Sequence, residues 1–404
     1  MKTKVELVGL EDIRAAREGL AGLLRPTPVE EADTLTRMCG RAVLLKPEHR
    51  QRTGSFKIRG AFTHVAALPA DGARVVAASA GNHAQGVALA ASLAGRQASI
   101  FMPRGAPLPK IEATRAYGAD VELVGDTVDD CMLAARAAAE VHGHLVPPFD
   151  DPLVIAGQGT VGLEIADEAS AFECVVVPVG GGGLVSGIAA ALHAVRPDVR
   201  IIGVEAQGAA AMQASVAAGE PVRLPHIDTI ADGIAVKTPS ALTVAHVQAF
   251  VDEIVTVTDE EIGRALILLL ERAKAVVEPA GVVGLAALLA GKVPGAGPAV
   301  VVLSGGNVDP LMLRNLIERG LSAAGRFLRL RLIVDDHPGA LANITALIAE
   351  LGLNVLDVEH HRVGVAVGID QVELLLTLET RDPAHRLVAV DRLRSSGYSV
   401  DLIA

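Results

Sequence analysis

Short apolar runs alternate along this chain with alanine-rich stretches, and that alternation narrows the fold more than any other feature. "ARVVAAS", "QASIFMP", "DVELVG", "ECVVVPV", "RIIGVEA", "EIVTVT" and "PAVVVLSGG" read as strands. Their apolar residues are continuous, which predicts parallel strands covered on both faces. Between them, Asn82–Leu93, Thr127–Val141, Gly187–Val195 and Glu260–Ala275 read as helices. Strands alternating with helices predict an α/β architecture. The chain has 404 residues, 50% of them hydrophobic, which is enough for more than one core. Aromatics are only 2%, so those cores must be built from Ala, Val, Leu and Ile.

The pattern changes near Leu321. Residues 321–326 are small and polar and read as a linker. After them "FLRLRLIVDD" has the period of a strand, and "HPGALANITALIAELG" is a helix expected to open at Pro338 and close on glycine. "LNVLDVEHHRV" and "DQVELLLTLETRD" follow as strands, "PAHRLVAVDRLRSSG" as a helix and "YSVDLIA" as a last strand. The order βαββαβ is the ferredoxin-like motif, which places a separate domain at Phe327–Ala404.

Charge and cysteines narrow the class of function. The net charge is −11 with no long basic run, which argues against nucleic acid or an anionic membrane as the main partner. Cys39, Cys131 and Cys174 are far apart and form no CxxC, as expected of reduced thiols in a cytoplasmic protein. The first twenty residues mix acids and bases, unlike a signal peptide. "CVVVPVGGGGLVSGIAAALHAV" approaches membrane-spanning length, but its proline and four glycines read better as strand, loop and helix.

Four places can carry chemistry. Lys57, in "TGSFKIRGAF", stands where a helix begins, with His49, Arg50, Arg52 and Arg59 near it in sequence. A helix start disfavours a cation, and cationic neighbours disfavour it further. Such a lysine is partly neutral and able to form a Schiff base; the competing reading is an ordinary solvated lysine. "SAGNHAQG" follows a strand and opens a helix, so its free N–H groups can hold a carboxylate or phosphate, unless it is a plain capped turn. "VGGGGLVSG" can wrap an anion. Its rival reading is a dinucleotide site from Gly181, Gly183 and Gly187, with Glu205 about 20 residues on as the ribose acid. Ser304, in "LSGGN", ends a strand at the carboxyl edge, where open α/β sheets bind ligands. A lysine, two anion-ready loops and a strand-end serine suit a phosphorylated aldehyde, pyridoxal phosphate, better than a nicotinamide, which leaves Lys57 without a task.

"KPEHRQRTGSFKIRGAF", "SAGNHAQG", "VPVGGGGL", "ADGIAVK", "VEPAG" and "LSGGN" resemble, in order and spacing, the threonine dehydratases. The resemblance spans roughly Leu10–Gly320 and implies an α/β, two-lobed fold of the tryptophan-synthase-β type over residues 1–320. The smaller lobe is expected at roughly residues 50–150. "DDHPGALANITALIAELGLNV" resembles an ACT domain, an amino-acid-sensing module, over residues 327–404.

The resemblance implies that Lys57 bonds pyridoxal 5'-phosphate and moves the Cα proton. It implies that Asn82 meets the cofactor's 3-oxygen, that Gly180, Gly181, Gly182, Gly183 and Leu184 hold its phosphate, and that Ser304 faces its pyridine nitrogen. Ser79, Ala80, Gly81, Asn82 and His83 would grip the substrate carboxylate. The implied activity is deamination of L-threonine to 2-oxobutanoate and ammonia, and of L-serine to pyruvate, by a homodimer or homotetramer. Related serine racemases carry a serine where this chain has Ala80, which favours elimination over racemisation. Their divalent-metal site follows a glutamate matching Glu205, but the second carboxylate falls near Ala211, so no metal is expected. An amino-acid effector, isoleucine or valine, is expected at Asp336, Gly339 and Asn354: the βαββαβ fold is expected to bring Asp336 and Asn354 close, and in resembling ACT domains edge-to-edge pairing sets such a loop of one subunit against such an asparagine of another, with the effector in the gap. Three alternatives remain beside this reading: a serine dehydratase or racemase of the same fold, a nicotinamide-dependent dehydrogenase, and a non-catalytic amino-acid sensor.

Overall fold

The computed structural model describes residues 5–323, 325–362, 368 and 370–403, with backbone alone for 319–323. Val363 and Ala404, at the ends of two expected strands, lie outside the described residues. The chain divides into two compact units, Met1–Asp309 and Pro310–Ala404.

Among its described residues the first unit has ten strands: β1 (Glu30–Glu31), β2 (Val43–Lys46), β3 (Arg74–Ala78), β4 (Ala98–Met102), β5 (Asp120–Leu123), β6 (Gly143–Leu145), β7 (Cys174–Pro178), β8 (Arg200–Ala206), β9 (Glu253–Val257) and β10 (Ala299–Val302). They form two sheets. The smaller, in the order β5-β4-β3-β6, is wholly parallel. The larger, in the order β1-β2-β10-β7-β8-β9, is parallel except for the β1–β2 pair. Val175, Val176, Val177, Val300, Val301 and Val302 are all fully buried, as the continuous apolar runs require.

The helix Pro152–Glu168 is absent from the sequence reading. It is buried nearly all round, so it shows no helical stripe. Glycines let it pack closely. A Cβ on Gly157 would lie 2.6 Å from Gly60 Cα, and one on Gly162 would lie 2.9 Å from the Ile188 carbonyl oxygen. Gly187 is a contact of the same kind, because a Cβ there would collide with the Gly159 amide and the Ile155 carbonyl.

In the second unit the helix Pro310–Ala323 precedes β11 (Phe327–Asp335), β12 (Asn354–His361), β13 (Gln371–Glu379) and β14 (Ser399–Leu402). The segment expected to link the two regions is therefore helical over its first three residues. The sheet runs β12-β13-β11-β14, antiparallel throughout. Alternate residues Leu328, Leu330 and Leu332 of β11 and Leu374, Leu376 and Leu378 of β13 face a core completed by Ile344, Ile348, Ala389 and Leu393. The helix after β11 opens at Ala340, not Pro338, because Gly339 takes φ 95° at its N-cap.

Candidate active site

All four places singled out in the sequence meet at one cavity of ≈ 1020 Å³ in the first unit. Lys57, Ser79–His83, Gly180–Leu184 and Ser304 line it. The loops come from the carboxyl ends of β3, β7 and β10, where parallel sheets present ligand sites.

Lys57 opens the helix Lys57–Ala66, and its Nζ donates to the Pro148 carbonyl oxygen at 2.9 Å. Loss of water around the ammonium pushes its pKa down to about 8, while the Glu278 carboxylate pulls the other way. The cationic neighbours in sequence are not the cause. Arg59 turns away into a buried network with Glu48 at 2.8 Å and Glu164 at 2.6 Å, which Lys46 joins at 2.7 Å. Arg50 pairs with Glu30 at 2.6 Å. His49 is pushed down to about 4 by burial and is neutral. Sequence proximity placed these groups around Lys57, but Arg50 and Arg59 pair with carboxylates elsewhere and His49 carries no charge.

The turn after β3 leads into the helix Asn82–Leu93. Ser79 Oγ accepts from the Gly81 amide at 3.1 Å, and the Asn82 and His83 amides sit in a first turn that lacks intrahelical partners. His83 Nε2 faces the Val146 carbonyl at 2.9 Å, and burial holds this imidazole neutral with a pKa of about 3. Its ring is thus occupied, leaving its backbone to the cavity.

The loop after β7 is a cradle with no room for side chains. Gly182 takes φ 93° as the N-cap of Gly183–Val195. A Cβ on Gly180 would lie 2.9 Å from Ile234 Cα, one on Gly181 would enter the Phe149 ring, and one on Gly183 would meet Phe149 Cβ at 3.0 Å. Bare amides at the start of a buried helix suit a phosphate. Ser304 lies in the loop after β10 and is 4% exposed.

The dinucleotide reading fails on Glu205. Its carboxylate accepts from the Met212 and Gln213 amides, both at 2.8 Å, at the start of the helix Ala211–Ala218. It is fully buried, and Gly187 is a helix-packing residue. Three participants had no sequence signal that was used. Pro148 and Phe149 lie between elements, and Glu278 was seen only as a letter of "VEPAG". Glu278 lines the cavity and accepts from Asn82 Nδ2 at 2.6 Å.

An amine beside a glycine cradle, a strand-end hydroxyl and a turn of free amides fit pyridoxal phosphate. Lys57 would hold its aldehyde carbon, the cradle its phosphate and Ser304 its ring nitrogen.

In the second unit, strand register separates two residues expected to meet. Asp335 pairs with Gln371 at one end of β13, and Asn354 pairs with Glu379 at the other. Eight residue-to-residue steps of strand, about 26 Å at ~3.3 Å each, separate those ends. Asp336 and Gly339 are at the first end. Asp336 pairs with Arg362 at 3.1 Å, and the Asn354 amide meets Glu379 at 3.5 Å.

The comparisons agree with this architecture. The profile of the family described as pyridoxal-phosphate dependent enzymes matches residues 20–305, and that of the ACT domain matches residues 328–396. An L-threonine ammonia-lyase of Thermotoga maritima is 46% identical over 402 residues, 98% of this chain and 100% of the relative. Among solved structures, the processed form of threonine deaminase isoform 2 from Solanum lycopersicum is 36% identical with a TM-score of 0.72, covering 78% of this chain and 90% of its own. Maize serine racemase is 34% identical with a TM-score of 0.74, covering 79% and 99%.

Proposed function

The chain belongs to the pyridoxal-phosphate dependent enzymes and carries a C-terminal ACT domain, and from that premise we propose that it deaminates L-threonine to 2-oxobutanoate and ammonia, with L-serine as a second substrate. One cavity gathers Lys57, the amide turn, the glycine cradle and Ser304, and this convergence, beside the full-length similarity to an L-threonine ammonia-lyase, carries the reading.

When bound, the cofactor withdraws electrons from Cα and so acidifies its proton. The protein's residues do the rest. The Asn82 and His83 amides hold the substrate carboxylate at the helix start. Lys57 Nζ, neutral above about pH 8, takes the Cα proton. The electrons of that bond form a Cα–Cβ double bond as the Cβ–O bond breaks. The departing hydroxyl takes up one proton, equal to the one Lys57 removed and so returning Lys57 to its neutral form in the balance, and leaves as water. Hydrolysis of the released enamine returns the water, giving the 2-oxo acid and ammonia. Ser304 offers the ring nitrogen a hydroxyl rather than a carboxylate, so the nitrogen is not held protonated and rapid loss of a β-leaving group is favoured. Ala80 supplies no acid on the turn for returning a proton to Cα, which favours elimination over racemisation.

The effector reading keeps its site between two paired modules and gives up only the closeness of Asp336 and Asn354 within one copy. Asp336 and Asn354 cannot share a ligand within one copy. Antiparallel pairing of β12 with the β12 of a second copy would bring Asn354 of one against the Asp336–Arg362 end of the other. A branched-chain amino acid, isoleucine or valine, would then bridge two subunits, its carboxylate at the Gly339 helix start and its ammonium at Asp336. A 2-oxo acid assay on both substrates, with isoleucine and valine added in turn, tests the whole reading. Formation of 2-oxobutanoate from threonine is expected, and absence of any 2-oxo acid in the cofactor-loaded protein overturns it.

A further inference from the structure

Three loops that approach the cavity from different strands are joined by a chain of side-chain amides. Asn307 Nδ2 donates to the Thr53 carbonyl oxygen at 2.7 Å and to Asn82 Oδ1 at 2.7 Å. Asn82 Nδ2 then donates to Glu278 Oε1 at 2.6 Å. The chain has a direction. A backbone carbonyl only accepts, so the Thr53 oxygen forces Asn307 to turn its nitrogen toward it. That nitrogen also faces Asn82, so Asn82 must answer with its oxygen. Its own nitrogen is left on the far side, against Glu278 and the cavity. Turning either amide over would set donor against donor or acceptor against acceptor.

The backbone is shaped around this chain. Thr53 takes φ 60°, one of two non-glycine residues with positive φ among those described, and it is four residues from Lys57. Gly54 takes φ 70°, and a Cβ there would lie 2.5 Å from Asn307 Oδ1. A Cβ on Gly305 would strike Glu278 Oε1 and lie 2.9 Å from Asn82 Nδ2. The Glu278 amide donates to the Gly305 carbonyl at 3.0 Å, fixing the last member. Glu278 is 5% exposed and no cation pairs with it among the described residues. Burial, with the charge of Asp232 adding, pushes it up to about 7.

We propose that Asn307 and Glu278 are positioning residues, which lock the Asn82 amide in one orientation so that its second N–H is presented to the 3-oxygen of pyridoxal phosphate. This deepens the proposed function and rests on its placement of Asn82 beside the cofactor. Asn82 touches the cofactor, whereas Asn307 and Glu278 act through Asn82. Thr53 carries the orientation from the loop that bears Lys57, so the lysine and the amide are set by one piece of backbone.

The test titrates cofactor-stripped, full-length protein with pyridoxal phosphate and reads the dissociation constant and the cofactor's absorption maximum. Asn307→Asp keeps the shape but replaces the donor with an acceptor, which draws Asn82 Nδ2 away from the cofactor. It should weaken binding by about tenfold or more and move the absorption maximum. In an Asn82→Ala background the same change should add nothing. Glu278→Ala should weaken binding several-fold, and Glu278→Gln, which still accepts from Asn82, should restore it. Wild-type affinity and spectrum in Asn307→Asp overturn the proposal, as does an equal loss in the Asn82→Ala background. Should Asn307→Asp not fold, the Glu278 pair decides, and wild-type affinity in Glu278→Ala overturns the proposal. Wild-type affinity in Asn82→Ala overturns it from another side, by removing Asn82 from the cofactor.

Discussion

The two units place their ligand groups in opposite ways. The cavity of the first unit is complete within one chain: Lys57, Asn82, the glycine cradle and Ser304 all face it. The second unit separates its groups, with Asp336 and Asn354 at opposite ends of β13. The glycines show the same contrast. Gly181 and Gly182 are crowded, with Phe149, Met212 and Thr243 against the space a side chain would need. Gly339 has φ 95° but nothing within 4 Å of its would-be Cβ. Crowding marks a site finished by folding. Gly339 is open, as is Gly81 at the helix start of the first unit's own site, so open space at a helix start leaves room for a ligand without saying what completes the site.

The largest expected effect is at Lys57. Lys57→Ala should lower 2-oxobutanoate formation by roughly three orders of magnitude or more, because the proposed reaction uses its amine both to hold the cofactor and to move the Cα proton; of the other lysines lining the cavity, Lys110 and Lys237, the first is paired with Asp232 at 2.8 Å. A fixed-time 2-oxo acid assay checks it, and substantial activity would remove the distinction between the two units.

The glycine contrast is sharpened by paired alanine substitutions. Gly181→Ala should weaken pyridoxal phosphate binding by about tenfold or more, since a Cβ must displace the Phe149 ring. Gly339→Ala should leave cofactor affinity unchanged and cost about 1–2 kcal/mol of local stability for its left-handed φ. Cofactor titration and thermal melting of both variants separate a filled cradle from a strained turn.

The smallest effect concerns the divided site. Asp336→Ala and Asn354→Ala should each abolish sensitivity to the branched-chain effector while leaving uninhibited turnover nearly unchanged. Mixed oligomers of the two variants should regain part of that sensitivity, because one site in a β12-paired dimer is then intact. The response at stake is about 1–3 kcal/mol of coupling. Mixed oligomers as insensitive as either parent would place the whole site within one copy.

Much of the catalytic fold was readable because parallel strands write continuous apolar runs, and their loops carry the glycines and polar residues. Asn82 opens its helix at the expected residue. What the sequence concealed was contact between distant segments. The helix Pro152–Glu168 has apolar and small residues on every side, so no period marks it. Phe149 against Gly181, and Asn307 against Asn82, join segments far apart in the chain. Arg59 looks like a neighbour of Lys57 in one dimension but is drawn away by Glu48 and Glu164. The βαββαβ order was legible as well, yet the distance between Asp336 and Asn354 depends on strand register, which no run of letters specifies.

The central claim is that Lys57 is the amine this cavity was folded to hold, kept short of water so that its proton is easily lost. The direct measurement adds pyridoxal phosphate to the stripped protein across a range of pH, traps the product with borohydride and maps the modified peptide. The claim predicts a single label on Lys57. Its capture rate should rise with pH and level off just above about 8, because a pKa lowered from 10.5 to about 8 frees the neutral amine well before an ordinary lysine would. A label on another lysine, or a capture rate still climbing toward pH 10.5, would contradict it.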